Sequence, residues 1–169
     1  MGRVGARLRA EHQAYAAEAA DERPLGGYLV AMGTFAALSA GVASLTASQR
    51  RGQRTDPLEL VLVGVATHKL ARILSKDAVT SPLRAPFTTF KEPGGPGEVV
   101  EEVRGDGIRH AVGELLTCPF CLSPWVATAL FAGLAVAPSM TRSATRVLTA
   151  VTVADALQFC YAALEQAAD

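Results

Sequence analysis

Two thiols three positions apart, Cys118 and Cys121, have the spacing best suited to chemistry in this chain. Cys118-Pro119-Phe120-Cys121 stands where an apolar run begins. Unsatisfied N–H groups and the dipole at a helix start favour a thiolate there. The pair could support thiol–disulfide exchange. It also supplies half of a tetrahedral zinc site, which His110 and Cys160, or a second chain, would have to complete. No βαβ pattern surrounds the motif and an apolar span follows it directly, so packing at a helix end is the third reading.

A second pair of chemically capable residues is His68 and Asp155, each set in apolar sequence. A carboxylate in hydrocarbon is costly unless it is paired, neutralised or hydrated. His68, Lys69 and Arg72 are the partners on offer. A proton or ion site is the functional reading. A polar contact that locks helix packing is the structural one, and it is favoured, because one buried acid does not make a pathway. The other catalytic templates are missing: there is no G-x-S-x-G, P-loop, G-x-G-x-x-G or His-Glu zinc motif. Residues 94–97, GGPG, read as a turn, and Glu98, Glu101 and Glu102 as a solvated acidic stretch. Glu114 could pair with Arg109 or His110 on a short helix. The chain reads as non-enzymatic, with no cofactor implied.

The elements that must position these groups follow from hydropathy. Half of the 169 residues are apolar and 19% are charged, against about a quarter charged in an average soluble domain. Mean hydropathy is +0.24. Lys plus Arg and Asp plus Glu number 16 each, which argues against a nucleic-acid partner, whose phosphates call for a basic excess. Residues 1–27 form a polar head, with a helix expected over 4–20 and no signal peptide.

Residues 28–48 and 119–138 carry no charge, and 144–164 carry only Arg146 and Asp155. About 20 helical residues at about 1.5 Å each cross a hydrocarbon core of about 30 Å. Gly33, Ala37 and Gly41 would allow close helix approach in the first span. Asp56 and Pro57 read as N-cap and first helical residue of a helix over 57–75, the weakest span because it carries His68, Lys69 and Arg72. A short basic loop is expected at 49–56 and a polar loop at 139–143. Between them lies a polar insertion, 76–117, with short strands expected near 87–90 and 99–103, a turn between, and a helix from Asp106 or Gly107 to about Leu116.

The fold expected is therefore an all-α, multi-pass transmembrane bundle of about four spans, residues 28–169, with an N-terminal polar helix and a small β-hairpin or irregular insertion. With four spans the second and fourth helices run in the same direction. That puts His68 and Asp155 at similar depth and gathers Arg72, Asp77, Cys118, Cys121 and Cys160 toward the insertion's side.

His68-Lys69-Leu70-Ala71-Arg72, then Asp77, then Ser81-Pro82-Leu83-Arg84-Ala85-Pro86-Phe87, and then Gly113-Glu114-Leu115-Leu116-Thr117-Cys118-Pro119-Phe120-Cys121 with Trp125 occur in this order. This combination resembles a bacterial membrane-protein family catalogued as domain of unknown function 1360, over about residues 58–165. The resemblance implies a small multi-pass membrane protein without an assigned active site. Arg72, Asp77, Arg84, Cys118, Cys121 and Trp125 are carried over as motif residues only. Read from their charges, Arg72, Asp77 and Arg84 could form an ion-pair cluster pinning the insertion to helix ends.

The function expected is a non-catalytic scaffold or assembly role in the cell membrane. The alternatives are a thiol-redox or metal-binding protein using CPFC, and a small transporter or channel subunit using Asp155 and His68. The partners expected are the lipid bilayer and, beyond it, further copies of the chain or other membrane proteins. Both termini are placed in the cytoplasm.

Overall fold

Short-range chemistry sets where the helix expected over 57–75 begins. The carboxylate of Asp56 accepts the Leu58 N–H at 3.0 Å, so the expected N-cap forms and Pro57 takes the first helical position, where its missing N–H costs nothing. The computed structural model describes residues 5–7, 10, 15, 24–49 and 56–168. Its helices are α1 (Leu25–Gln49), α2 (Pro57–Lys76), the one-turn α3 (Ser81–Arg84), α4 (Gly107–Thr117), α5 (Pro119–Val136) and α6 (Pro138–Ala168). A 3-10 turn, Ala78–Thr80, precedes α3, and strands β1 (Thr88–Pro93) and β2 (Val99–Val103) precede α4. In the polar head, residues 5–7, 10 and 15 are helical; the rest of the helix expected over 4–20 lies outside the described residues, as do residues 50–55.

Among the described residues three helices are long and apolar enough to cross a membrane: Leu25–Ala47, Pro119–Val136 and Pro138–Ala168. The 57–75 segment, expected as the weakest of about four spans, forms a helix but falls short of that standard. The polar loop expected at 139–143 is corrected to helix, because α6 starts at Pro138 and only Ala137 separates it from α5. The hydroxyls there fold back onto the helix: Thr141 donates to the Ala137 carbonyl, Ser143 to Ser139 and Thr145 to Thr141. Polarity in that stretch is absorbed locally and does not mark a loop.

The chain divides into two compact units, Met1–Ala37 with Ser75–Cys118, and Leu38–Leu74 with Pro119–Asp169. In the first unit β1 and β2 form an antiparallel hairpin pairing Thr88 with Val103 and Phe90 with Glu101, and a bulge interrupts the register between Phe90 and Glu92. Gly97, at φ 76°, sits in the connecting turn, where the Gly94 N–H donates to the Glu98 carbonyl at 2.8 Å. A two-stranded hairpin is marginal by itself, and α4 covers it. Gly113 makes that contact possible: a Cβ there would lie 2.6 Å from Val103 Cγ1 and 3.0 Å from the Phe87 carbonyl oxygen. Gly113→Ala is therefore expected to lower the stability of this unit by about 1–3 kcal/mol, read as a lower midpoint of thermal unfolding. An unchanged midpoint would show that α4 does not need this close approach.

In the second unit α2 is the buried helix. Val63, Ala66, Thr67 and Ala71 turn one face inward, at the i, i+3, i+4, i+8 spacing of a helical stripe. Leu122, Val126 and Leu130 make the buried stripe of α5. At the α5–α6 joint a Cβ on Gly133 would meet Thr141 Oγ1 at 2.7 Å. Eight residues of straight helix rise about 12 Å, so this approach means that the chain bends sharply at Ala137.

Candidate functional site

Arg84 is the most completely enclosed charge described in the first unit. Its side chain is 0% exposed and that of its partner Glu101 is 6% exposed. The one-turn α3 carries Arg84 inward while the hairpin brings Glu101 to meet it. Nε donates to Glu101 Oε2 at 2.5 Å. Nη1 donates to Thr80 Oγ1 at 2.7 Å, and Nη2 to the Asp77 carbonyl at 3.0 Å and Ser81 Oγ at 3.3 Å. The planar fork thus ties the 3-10 turn, α3 and β2 into one clip, a geometry an ammonium could not reproduce. Arg104 and Arg109 secure the adjoining turn by donating to the carbonyls of Ala85 and Pro86.

One sequence expectation changes here. Arg84 reaches Asp77 through its main-chain carbonyl and pairs with the Glu101 carboxylate, so Glu101 is not part of a solvated acidic stretch. In Val-Val-Glu-Glu-Val the strand's period of two places Glu101 on the covered face with Val99 and Val103, while Glu102 faces outward. That alternation was the signal available in the sequence. Glu102 pairs instead with exposed Lys91 across the hairpin, a surface contact worth little.

On α4, His110 Nδ1 lies 3.1 Å from the Gly105 carbonyl oxygen and Nε2 lies 3.7 Å from Glu114. Glu114 also accepts the Tyr28 hydroxyl of α1, a partner the sequence reading did not anticipate. Cys118 ends α4 and is half-buried, Cys121 lies in the first turn of α5 and is exposed, and Cys160 is exposed on α6; all three are thiols. Among the described residues no group of three or more His, Cys, Asp or Glu side chains could hold a metal ion. Trp125 is half-buried in α5 and Arg72 half-buried on α2.

In the second unit Asp155 has its partner. Lys69 Nζ lies 2.7 Å from Asp155 Oδ2, with side chains 17% and 36% exposed, while His68 is exposed. Two further bonds join α2 to α6: Arg142 Nε donates to Glu59 Oε1 at 2.8 Å and Thr149 Oγ1 to the Leu62 carbonyl at 3.2 Å. The contacts run in order, 59 with 142, 62 with 149, 69 with 155, so the two helices lie side by side in the same direction. Chemically, these arrangements neutralise charge within the fold. Arg84–Glu101, Lys69–Asp155 and Glu59–Arg142 each satisfy an ionic group inside the chain.

The family described as "Protein of unknown function (DUF1360)" matches residues 62–161, a stretch that includes Arg84, Glu101, Lys69, Asp155 and the cysteine pair. The sporulation protein YjcA of Bacillus subtilis (strain 168) is 38% identical over 84 residues, covering 48% of this chain and 71% of that protein. No solved structure matches significantly.

Proposed function

The chain belongs to the DUF1360 family of proteins of unknown function, and from that premise we propose that it is a multi-pass membrane protein with a non-catalytic scaffold or assembly role. The supporting observation is that its enclosed ionic groups are satisfied by one another. A catalytic site needs groups held ready for a substrate, whereas the Arg84 guanidinium is closed over by Glu101, Thr80 and Ser81. The 77–117 module leaves Val79, Leu83, Phe90 and Ile108 exposed, the kind of surface a binding partner covers.

Four crossings are favoured over three by the α2–α6 contacts. From Arg142 to Asp155 is thirteen residues of α6, or about 20 Å of helix. If α6 crosses the bilayer, α2 is drawn in beside it and the Lys69–Asp155 pair makes its polar residues tolerable there. With four crossings both termini fall on one side, which we place in the cytoplasm; reporters fused to each end would then read out the same side, and opposite sides would contradict it.

The role itself is tested by a photo-crosslinking residue placed at Val79 or at Phe90 in native membranes, combined with thiol trapping. A discrete higher-mass adduct is expected, with Cys118 and Cys121 holding one state when cells meet an oxidant. Absence of adducts at both positions would overturn the scaffold role. Thiols that cycle between alkylatable and protected forms would favour the redox reading instead, for which the exposure of Cys121 is the motivating observation.

A further inference from the structure

The N-terminal ends of α2 and α6 and the C-terminal end of α5, all in the second unit, enclose an open cavity of about 140 Å³. Leu62, Val63 and Leu134 make its apolar wall, and Arg142 and Arg146, one turn apart on α6, supply its basic groups. Two acids also line it, and both are engaged: Glu59 accepts from Arg142 at 2.8 Å and Asp56 caps the Leu58 N–H at 3.0 Å. Among the described residues no carboxylate pairs with Arg146. The lining therefore holds two acids and two guanidiniums, and Arg146, exposed beside the apolar wall, is the guanidinium that has no carboxylate partner among the described residues.

We propose that this cavity is a site for the phosphodiester of an anionic membrane phospholipid, with Arg146 as its principal donor, Arg142 at its side, and the glycerol end of an acyl chain against Leu62 and Leu134. The proposal rests on the membrane reading above, and three observations carry it further. Arg146 borders the apolar run 147–164, whose single charge is Asp155. At about 1.5 Å per residue that run extends about 27 Å, which sets Arg146 at headgroup depth. The cavity is smaller than the roughly 300–1,000 Å³ that encloses a drug-sized ligand, so it takes a fragment whose remainder lies outside, as a lipid's does. A guanidinium is the side chain best matched to a phosphate's paired oxygens, and basic pockets between membrane helices hold anionic headgroups in this way.

The test uses the full chain in micelles of an uncharged maltoside detergent, titrated with phosphatidylglycerol while the melting midpoint is followed. A saturable rise is expected. Arg146→Gln should raise the half-saturating lipid concentration about fivefold, the equivalent of about 1 kcal/mol for one basic contact. Arg146→Lys should retain most of the response, and the charge change Lys91→Gln, in the first unit, should leave it unaltered. An Arg146→Gln response equal to wild type would overturn the site. An equal rise with phosphatidylcholine would remove its anionic preference, and an equal rise with inorganic phosphate would replace the lipid by a soluble ion; either result overturns the assignment. A wild-type chain that stays monodisperse without detergent and does not float with vesicles refutes the membrane reading itself. A chain that floats with vesicles yet melts at the same temperature with and without phosphatidylglycerol refutes this inference alone.

Discussion

Arg84→Met is expected to open the hairpin module while leaving the apolar helices of the second unit formed. The substitution removes the Arg84 bonds to Glu101, Thr80, Asp77 and Ser81 at once and leaves the Glu101 carboxylate, 6% exposed, buried without its counter-charge. Breaking a buried ion pair from one side costs about 3–5 kcal/mol. At about 1.4 kcal/mol per factor of ten, hydrogen exchange of the β1 and β2 amides should accelerate by a factor of about one hundred or more. The double variant Arg84→Met/Glu101→Leu separates the two contributions, because it removes the stranded charge together with its partner. Replacing both members of a buried pair by apolar groups is often neutral, so the double variant should regain most of the protection that the single one loses. Single-variant amides that exchange at the wild-type rate would show that the clip does not hold the module together.

The second large effect is expected at the α2–α6 pair. Lys69→Met leaves Asp155 without the amine now 2.7 Å away, on a helix apolar enough to cross a membrane. An Asp at the centre of a membrane helix costs about 2.5–3.5 kcal/mol on insertion scales, so the melting midpoint in detergent should fall sharply. Asp155→Asn should fall less, since an amide is neutral and the stranded lysine can extend its ammonium toward the interface. The exchanged pair Lys69→Asp/Asp155→Lys should recover much of the loss, and the recovery measures the coupling directly. If the losses of the two single exchanges simply add in the exchanged pair, the two side chains do not stabilise one another. A negligible loss for Lys69→Met would place Asp155 in water and remove the main argument for α2 crossing the bilayer.

Both effects involve residues whose type was visible from the start but whose partners were not. Asp155 stood out in an apolar run, and three partners were open to it; the structure selects Lys69 and leaves His68 exposed. Arg84 belonged to a recognisable string of residues, yet its counter-charge came from what read as a solvated stretch. The strand period would have directed attention to Glu101, but no pattern in the sequence says that an arginine seventeen positions earlier meets it. The cysteine pair is the opposite case. Its spacing stood out most in the sequence, and no metal-holding group forms around it among the described residues.

The sequence by itself determined the elements: the apolar helices, the Asp56 cap, the turn over 94–97 and the short helix ending at Thr117. Each follows from interactions between residues a few positions apart, through helix periodicity, capping and turn chemistry. The loop wrongly expected at 139–143 belongs to this class too, since polar residues were read there without their hydroxyls' local carbonyl partners. Only the tertiary structure decided which charges neutralise one another, which face of α2 is buried, and where Arg146 lines a cavity without a carboxylate partner among the described residues. The contacts between α2 and α6 join residues 83 to 87 positions apart, and Arg84 meets Glu101 across seventeen. The enclosed Arg84–Glu101 pair draws its strength from exclusion of water, and burial is a property of packed elements that no single segment possesses.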